Sequence, residues 1–188
     1  MSDSLNPEQW VDSYGDVLFR YALSRVQDRN LAEDLVQETL LAAIQTKDKF
    51  AQKSSQKTWL IGILKHKVLD YYRNKYKRAE FETGDDVSEE LEKLYFGEKD
   101  HWQYSPQAWS SPEAALSDKD FWVVLNECLQ GLPSHMADLF LLQAYENLSA
   151  EQLCKVFDIQ TTNNVWVTLS RARMRLRHCL ENRWFDNQ

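Results

Sequence analysis

Two stretches of the sequence concentrate basic side chains that could bind the phosphates of a nucleic acid. Residues 65 to 78 contain six lysines and arginines and a single acidic residue, Asp70. Residues 171 to 183 contain five arginines and a single acidic residue, Glu181. A solvated helix face is the ordinary explanation of one such cluster. Two clusters, each accompanied by aromatic or amide side chains, favour nucleic-acid binding instead.

An acidic segment separates the two basic stretches. The whole chain of 188 residues has a formal net charge of −7. Residues 80 to 120 carry twelve acidic and three basic side chains, which gives this segment a net charge of −9. The rest of the chain therefore has a net charge of +2. Local fields, rather than the total, decide which partner a surface attracts. The charge pattern therefore predicts two basic surfaces joined by an acidic linker.

Residues suited to catalysis, metal binding or redox chemistry are sparse. The four histidines are scattered, and the sequence contains neither a Gly-rich phosphate loop nor a nucleophile motif. We therefore predict that the protein is not an enzyme and uses no cofactor. The three cysteines are odd in number and widely spaced, which predicts no disulfide framework, with Cys128 and Cys154 in the core. No metal site is predicted; only the adjacent His178 and Cys179 merit a zinc titration.

Helices are the elements that must position these side chains. Five glycines and four prolines leave little room for the turns of a β-rich fold, so the sequence predicts an all-α protein. Periodicity and capping signals predict helices from about Asn6, from Asn30 and from Thr58 to Arg78. The second of these helices would have an apolar side widened by Leu40, Leu41 and Ile44.

The C-terminal part of the chain predicts four more helices. The first begins at Pro112 and ends at Gly131, and the next is capped by Ser134. A capping box at Ser149–Gln152 opens a short helix that ends at Asp158, before a longer final helix. A short helix, a brief turn and a longer helix with polar residues at its start are typical of a helix-turn-helix.

The final helix combines an inward apolar stripe with a polar outward side. Apolar residues recur at steps of four, three and four, at Val165, Leu169, Ala172 and Leu176. Asparagine can pair bidentately with adenine, and arginine with guanine or phosphate. The outward side is therefore predicted to contact duplex DNA. The arginines at 171, 173, 175 and 177 are predicted to follow the phosphate backbone of that DNA. Its predicted members are Asn163, Val167, Ser170 and Met174, with Arg171 and Arg177 at the margin.

Two stretches in the N-terminal half resemble the promoter-melting domain of sigma-70 family sigma factors. They are the run around Asp34-Leu-Val-Gln-Glu38 and the run from Thr58 to Arg73. Leu132-Pro133, Leu148-Ser149 and the run from Ser170 to Arg177 resemble that family's C-terminal helix-turn-helix domain. With only these two domains, the chain resembles the extracytoplasmic-function group. The resemblance implies a promoter-melting and polymerase-binding domain at 1–80, an acidic linker at 81–111 and a helix-turn-helix domain at 112–188.

The resemblance implies a transcription initiation factor that directs promoter recognition. Its partners would be core RNA polymerase and promoter DNA, duplex and melted, and an anti-sigma factor is typical of the group. By position, the polymerase would be bound by Asp34, Gln37 and Glu38. The downstream promoter element would be contacted by Lys53, Ser54, Ser55, Gln56, Lys57, Trp59, Lys65, His66, Lys67, Asp70 and Arg73. The upstream element would be contacted by Thr162, Asn163, Asn164, Trp166, Val167, Ser170, Arg171, Arg173 and Arg177.

Two other classes of function are consistent with parts of the sequence. A stand-alone helix-turn-helix regulator would bind duplex operator DNA without polymerase, as a dimer. A metal or redox sensor would use the three cysteines with His135 and His178, although their long spacings are unlike common ligand patterns. The longest apolar stretch, Trp59 to Leu64, is far shorter than the ~20 residues of a membrane span. Because the polar N-terminus also lacks a secretory signal, we expect a cytoplasmic protein.

Overall fold

The computed structural model describes residues 6–50, 54–77 and 112–185. Every regular element in these ranges is helical, which confirms the all-α prediction for the part of the chain described. The predicted acidic linker at 81–111 and the predicted DNA contact Lys53 lie outside the described residues.

Eight α-helices occur in the described ranges. They are α1 (Trp10–Val26), α2 (Arg29–Thr46), α3 (Gln56–Tyr76), α4 (Pro112–Ser117), α5 (Lys119–Gln130), α6 (Ser134–Glu146), α7 (Ala150–Phe157) and α8 (Thr162–Leu180). Short 3₁₀ turns at Pro7–Gln9 and Lys47–Lys49 precede α1 and follow α2, and a π-helical turn at Glu181–Phe185 follows α8.

The chain forms two compact units. The first comprises Met1–Ala79 with Leu141–Thr161, and the second comprises Glu80–Phe140 with Thr162–Gln188. The division falls within α6, so the segment Leu141–Thr161 shares a unit with the three N-terminal helices. The functional boundaries predicted at residues 80 and 111 stay a prediction.

Two N-terminal helices begin earlier than the sequence predicted. α2 is capped by Asp28, whose carboxylate accepts the backbone N–H of Leu31 at 2.9 Å, so Asn30 lies inside the helix. α3 is capped by Ser55, whose hydroxyl oxygen lies 3.2 Å from the backbone nitrogen of Thr58. In both cases a short side chain with an acceptor oxygen lies upstream of the predicted start and satisfies the unpaired N–H groups there.

Capping also divides the helix that was predicted to run unbroken from Pro112 to Gly131. Asp118 leaves the helical conformation and caps α5, because its carboxylate accepts the N–H of Asp120 at 2.9 Å. The predicted capping box of α7 is confirmed, with both reciprocal hydrogen bonds of Ser149 and Gln152 present.

The core of the first unit lies among α1, α2 and α3 and is extended by α7. Leu18, Leu60 and Leu64 are fully buried there. The ring of Phe157, at the end of α7, lies 4.9 Å from the ring of Tyr76 and 5.7 Å from that of Tyr72. α7 therefore packs against the C-terminal half of α3 through aromatic contacts, which fixes the exposed side of α3.

The second unit pairs α5 with α8 and with the terminal π-helical turn. The ring centroids of Phe121 and Trp184 lie 5.6 Å apart in an edge-to-face contact. A disulfide joins Cys128 of α5 to Cys179 of α8, so the prediction of no disulfide was wrong. The two cysteines are 51 residues apart, and only the pairing of these helices brings them together.

Candidate nucleic-acid interface

The start of α3 combines exposed polar side chains with one buried anchor. Ser54, Ser55 and Lys57 are exposed. Gln56, which was predicted beside them as a DNA contact, is only 7% exposed. Its side-chain oxygen accepts the indole N–H of Trp10 at 2.8 Å. Gln56 therefore ties α3 to α1, while its neighbours face solvent.

Trp59 lies one turn into α3 and is half-buried. Its ring meets that of Trp10 edge-to-face at 5.9 Å between centroids, and that of Phe50 at 4.9 Å. These contacts hold the indole in place, and the exposed remainder offers a rigid aromatic surface of the kind on which an unpaired base can stack.

An exposed stripe runs along α3 beyond Trp59. Its members recur at steps of four, four, three and four residues, at Gly62, His66, Asp70, Arg73 and Lys77. A methyl group added at Gly62 would meet no atom within 4 Å, so the stripe is open there. Arg73 pairs with Asp70 one turn earlier. Three of the predicted downstream contacts therefore share one solvent-facing side of the helix.

The two lysines that flank this stripe carry ion pairs. Lys65 Nζ lies 2.8 Å from Glu146 Oε2, and Lys67 Nζ lies 3.0 Å from Glu38 Oε2. A phosphate would therefore have to compete with a carboxylate at each of these positions. The pair at Lys67 also links a predicted DNA contact with a predicted polymerase contact on α2.

Glu146 is the centre of a buried charged cluster in the first unit. Its side chain is 5% exposed, and Arg25 Nε donates to its Oε1 at 2.6 Å. The hydroxyl of Tyr21 donates to the same oxygen, and Lys65 pairs with the other. The Arg25 guanidinium carbon lies 3.4 Å from the centroid of the Tyr21 ring. One carboxylate thus joins α6 to both α1 and α3.

The cluster shifts the pKa of two of its members in opposite directions. Burial by itself would raise the pKa of Glu146, but hydrogen bonds from Lys65, Tyr21 and Arg25 outweigh burial and lower that pKa. Burial, reinforced by the hydrogen bond to Glu146, raises the pKa of Tyr21. Glu146 is therefore held as a carboxylate and Tyr21 as a neutral phenol.

The predicted polymerase contacts lie together on the solvent side of α2. Asp34, Gln37 and Glu38 are exposed, whereas Leu35 is buried among the residues that face α1 and α3. An acidic and amide surface is thus carried on a helix whose other side is anchored in the core.

α8 presents the start of its predicted DNA-reading side to solvent. The inward stripe is confirmed, because Val165, Leu169 and Ala172 are fully buried. Among the predicted upstream contacts, Thr162, Asn163, Asn164, Trp166, Val167 and Arg173 are exposed. Ser170, Arg171 and Arg177 are half-buried.

The outward side of α8 does not continue to the end of the helix. Met174 shares a side with Asn163 and Val167 but is fully buried, so its predicted outward position was wrong. Farther along, Arg177 Nε pairs with Glu181 Oε1 at 2.7 Å. The helical spacing of apolar residues predicted one buried side of α8. It could not show that the opposite side is buried as well at Met174. The candidate reading surface is therefore limited to residues 162 to 173.

The predicted break before α8 has the expected backbone. Asp158 adopts the left-handed conformation, with φ of 55°, and its N–H bonds to the carbonyl of Cys154. Aspartate tolerates this conformation, although glycine is the usual occupant.

Neither a candidate metal site nor a candidate membrane span occurs in the ranges that the structure describes. No group of three or more His, Cys, Asp or Glu residues there could hold a metal ion. The sulfur of Cys179 is bonded to Cys128, and His178 Nε2 lies 3.0 Å from the amide nitrogen of Asn182. None of the helices described is long and apolar enough to cross a bilayer.

Comparison with known proteins identifies the family. Residues 10–78, which contain α1 to α3, match the model of Sigma-70 region 2. A probable RNA polymerase sigma factor of Haemophilus influenzae is 35% identical over 169 residues, covering 88% of this chain and 85% of that protein. This chain belongs to the sigma-70 family of RNA polymerase sigma factors. Its function is therefore that of a transcription initiation factor.

The sigma factor is also similar to proteins named for the extracytoplasmic-function group. The extracytoplasmic-function sigma factor SigM of Bacillus subtilis is 28% identical and covers 93% of this chain and 94% of its own length. Among solved structures, the sigma factor RpoE in complex with the anti-sigma factor NepR from Bartonella quintana is 24% identical, with a TM-score of 0.43. That match covers 93% of this chain and 96% of RpoE.

Two further features of this sigma factor were not predicted from its sequence. Leu41 and Ile44 of α2 are 60% and 46% exposed, so the prediction that they widen the apolar core side was wrong. At 100° per residue they lie on the same side of the helix as Asp34 and Glu38. This helical angle could have predicted that Leu41 and Ile44 are exposed. The Glu146 cluster had no such signal, because Glu146 and Arg25 are 121 residues apart.

Proposed function

We propose that this sigma factor binds core RNA polymerase through the exposed side of α2, and promoter DNA through α3 and α8. Residues 1–80 would serve polymerase binding and promoter melting, residues 81–111 would form the acidic linker, and residues 112–188 would read the upstream element through a helix-turn-helix. We further propose that it acts in the cytoplasm, where RNA polymerase works.

The observation that carries the proposal is the exposed surface of α2. Leu41 and Ile44 are large apolar side chains in solvent, and they adjoin Asp34, Gln37 and Glu38. Exposed apolar groups bordered by polar ones are typical of protein interfaces. The buried side of α2 fixes this surface in place, so a partner would meet it without reordering the helix.

Co-elution with core RNA polymerase tests the proposal directly. The full chain mixed with core enzyme should co-elute in gel filtration and support transcription from a promoter, whereas the chain by itself should bind duplex promoter DNA weakly. The stand-alone regulator would instead bind duplex tightly and specifically without polymerase. That result, with no co-elution, would contradict the proposal.

We propose that the start of α3 captures melted DNA. Ser54 and Lys57 are exposed beside the rigid Trp59, whereas Gln56 is committed to Trp10. Ser54 and Lys57 can therefore be replaced without removing a contact on which the packing of α3 depends.

Replacing Ser54 and Lys57 together by alanine should reduce promoter opening about tenfold, since a base contact and a phosphate contact are lost. Permanganate footprinting measures the opening. The variant Ser13→Ala with Lys155→Ala removes equally exposed side chains elsewhere and should open promoters normally. A premelted template should restore the part of the loss due to Lys57 only. Normal opening by the Ser54 and Lys57 variant would show that this segment is a solvated connector.

We propose that residues 162 to 173 of α8 read the upstream duplex. Arg173→Ala should weaken binding of the polymerase complex to all promoter sequences alike, because arginine at that position would contact phosphate. Asn163→Ala should relax the preference at one base pair, by about 1–3 kcal/mol. Competition binding against a set of single-base promoter variants separates the two effects. Arg20→Ala on α1 is the control, and wild-type behaviour of both α8 variants would show that the reading surface lies elsewhere.

An anti-sigma factor as a further partner is supported by the family resemblance. Affinity capture of the full chain from cells, followed by identification of bound proteins other than polymerase subunits, tests for it.

A further inference from the structure

We propose that Cys128 and Cys179 form a reversible dithiol–disulfide pair, through which a small disulfide of the glutathione class controls the stability of the second unit. In the structure the two sulfurs are bonded, and the Cα atoms lie 5.8 Å apart. This separation is common for natural disulfides. The helices therefore hold the two side chains ready to bond.

The two cysteines differ in how easily a reagent reaches them. Cys128 lies in the last turn of α5 and is only 3% exposed. Cys179 is the penultimate residue of α8 and is half-buried. A small disulfide or thiol can therefore reach Cys179 first, and Cys128 is placed to react with it from within the fold.

The reversibility follows from the compartment, and here the inference rests on the proposed function. A factor that works with RNA polymerase resides where glutathione and thioredoxin keep thiols reduced. Disulfides in that compartment are usually transient and respond to oxidants. The pair would be a dithiol at rest and a disulfide after exposure to an oxidant.

The bond is a covalent connection between α5 and the C-terminal end of α8. Nearby, Glu127 of α5 forms an ion pair with Arg183 of the π-helical turn, and the two side chains are 47% and 49% exposed. Ion pairs so exposed contribute little to stability. The rings of Phe121 and Trp184 also lie in contact here, with their centroids 5.6 Å apart. Oxidation therefore adds a constraint on the helix that carries the candidate DNA-reading residues.

The chemistry balances with glutathione disulfide as the oxidant. The Cys179 thiolate attacks one sulfur of the oxidant, forms a mixed disulfide and releases one glutathione thiolate. The Cys128 thiolate then attacks Cys179 Sγ, forms the Cys128–Cys179 bond and releases the second glutathione thiolate. The protein loses two electrons and two protons, and the oxidant gains them as two thiols.

Cys154 provides a matched control within the same chain. It is not part of a disulfide and is half-buried. Burial, reinforced by the charge of Glu151, raises the pKa of its thiol, which keeps the reactive thiolate scarce. It should therefore remain a thiol under conditions that oxidise the pair.

The test equilibrates the full chain in glutathione buffers of graded reduced-to-oxidised ratio, then quenches with acid and alkylates the free thiols. Mass spectrometry should find all three cysteines alkylated at the cytosolic poise. As the oxidised fraction rises, it should find only Cys154 alkylated, with no lasting glutathione adduct. The oxidised form should melt about 10 °C higher than the reduced form.

Two variants complete the test. Cys179→Ser should abolish the transition and melt like the reduced wild type, whereas Cys154→Ser should change neither result. A pair that remains oxidised at the cytosolic poise, that never forms, or that forms without raising the melting temperature would overturn the inference. The thiol assay needs no polymerase, so its outcome is independent of whether the chain binds that enzyme.

Discussion

Replacing Glu146 with glutamine should lower the free energy of unfolding of the first unit by about 3 kcal/mol or more. The change leaves the buried Arg25 without its counter-ion, and removal of one partner from a buried ion pair is strongly destabilising. Lys65 also loses its partner, although its own side chain is partly exposed. Native-state hydrogen exchange of α1 and α3 measures the loss within this unit alone.

Two control variants calibrate that result. Glu33→Gln removes an exposed partner of Arg29 and should cost less than about 0.5 kcal/mol. Tyr21→Phe removes only one hydrogen bond to Glu146 and should cost about 1 kcal/mol. If Glu146→Gln were no more harmful than Glu33→Gln, the cluster would not stabilise the unit.

The same cluster predicts how stability responds to pH. Because folding lowers the pKa of Glu146 from its ordinary 4.5, its stabilising contribution is fully present above pH 4.5 and is lost as the pH falls below that value. Because folding raises the pKa of Tyr21 from 10.0, its contribution is present below pH 10.0 and is lost as the pH rises above it. Glu146→Gln should flatten the acid limb of the stability curve, and Tyr21→Phe the alkaline limb.

A substitution of Lys65 would affect both the fold and a predicted DNA contact. Lys65 is a predicted DNA contact, yet in this structure it pairs with Glu146. A loss of promoter opening in Lys65→Ala would combine a lost phosphate contact with a weaker fold. Comparison with Glu146→Gln, which weakens the fold and leaves the lysine in place, separates the two causes.

The second large effect is expected at α2. The variant Asp34→Lys with Gln37→Ala should reduce affinity for core RNA polymerase at least about 100-fold. On our proposal it sets a positive charge against a basic surface, and a like-charge contact costs several kcal/mol. Both side chains are exposed, so hydrogen exchange in α2 should be unchanged. Fluorescence-detected titration with core enzyme gives the affinity.

A matched change on α1 controls for altered net charge. Asp12→Lys with Ser13→Ala makes the same change of net charge by replacing one exposed acidic and one exposed polar side chain away from α2, and should bind polymerase normally. If both double variants lost affinity equally, total charge rather than the α2 surface would explain the loss. If the α2 variant unfolded, Asp34 and Gln37 would instead have a structural role.

Features that depend only on neighbouring residues could be predicted from the sequence. The capping box of α7, the left-handed Asp158 and the inward stripe of α8 all depend on contacts within about four residues. For the same reason the exposure of Asp34, Gln37 and Glu38 above the buried Leu35 could be predicted from helical spacing. Where a predicted helix start was wrong, a nearby competing cap explained the shift.

Contacts between residues that are distant in the sequence became known only from the fold. The disulfide joins residues 51 apart, and the pair between Arg25 and Glu146 spans 121 residues. Burial of Met174 and exposure of Leu41 likewise depend on which sides of their helices other elements cover. Helical periodicity shows how apolar one side of a helix is. It contains no information on which distant residues pack against that side. These distant contacts nonetheless keep Glu146 ionised, hold Lys65 in an ion pair and bring Cys128 and Cys179 together.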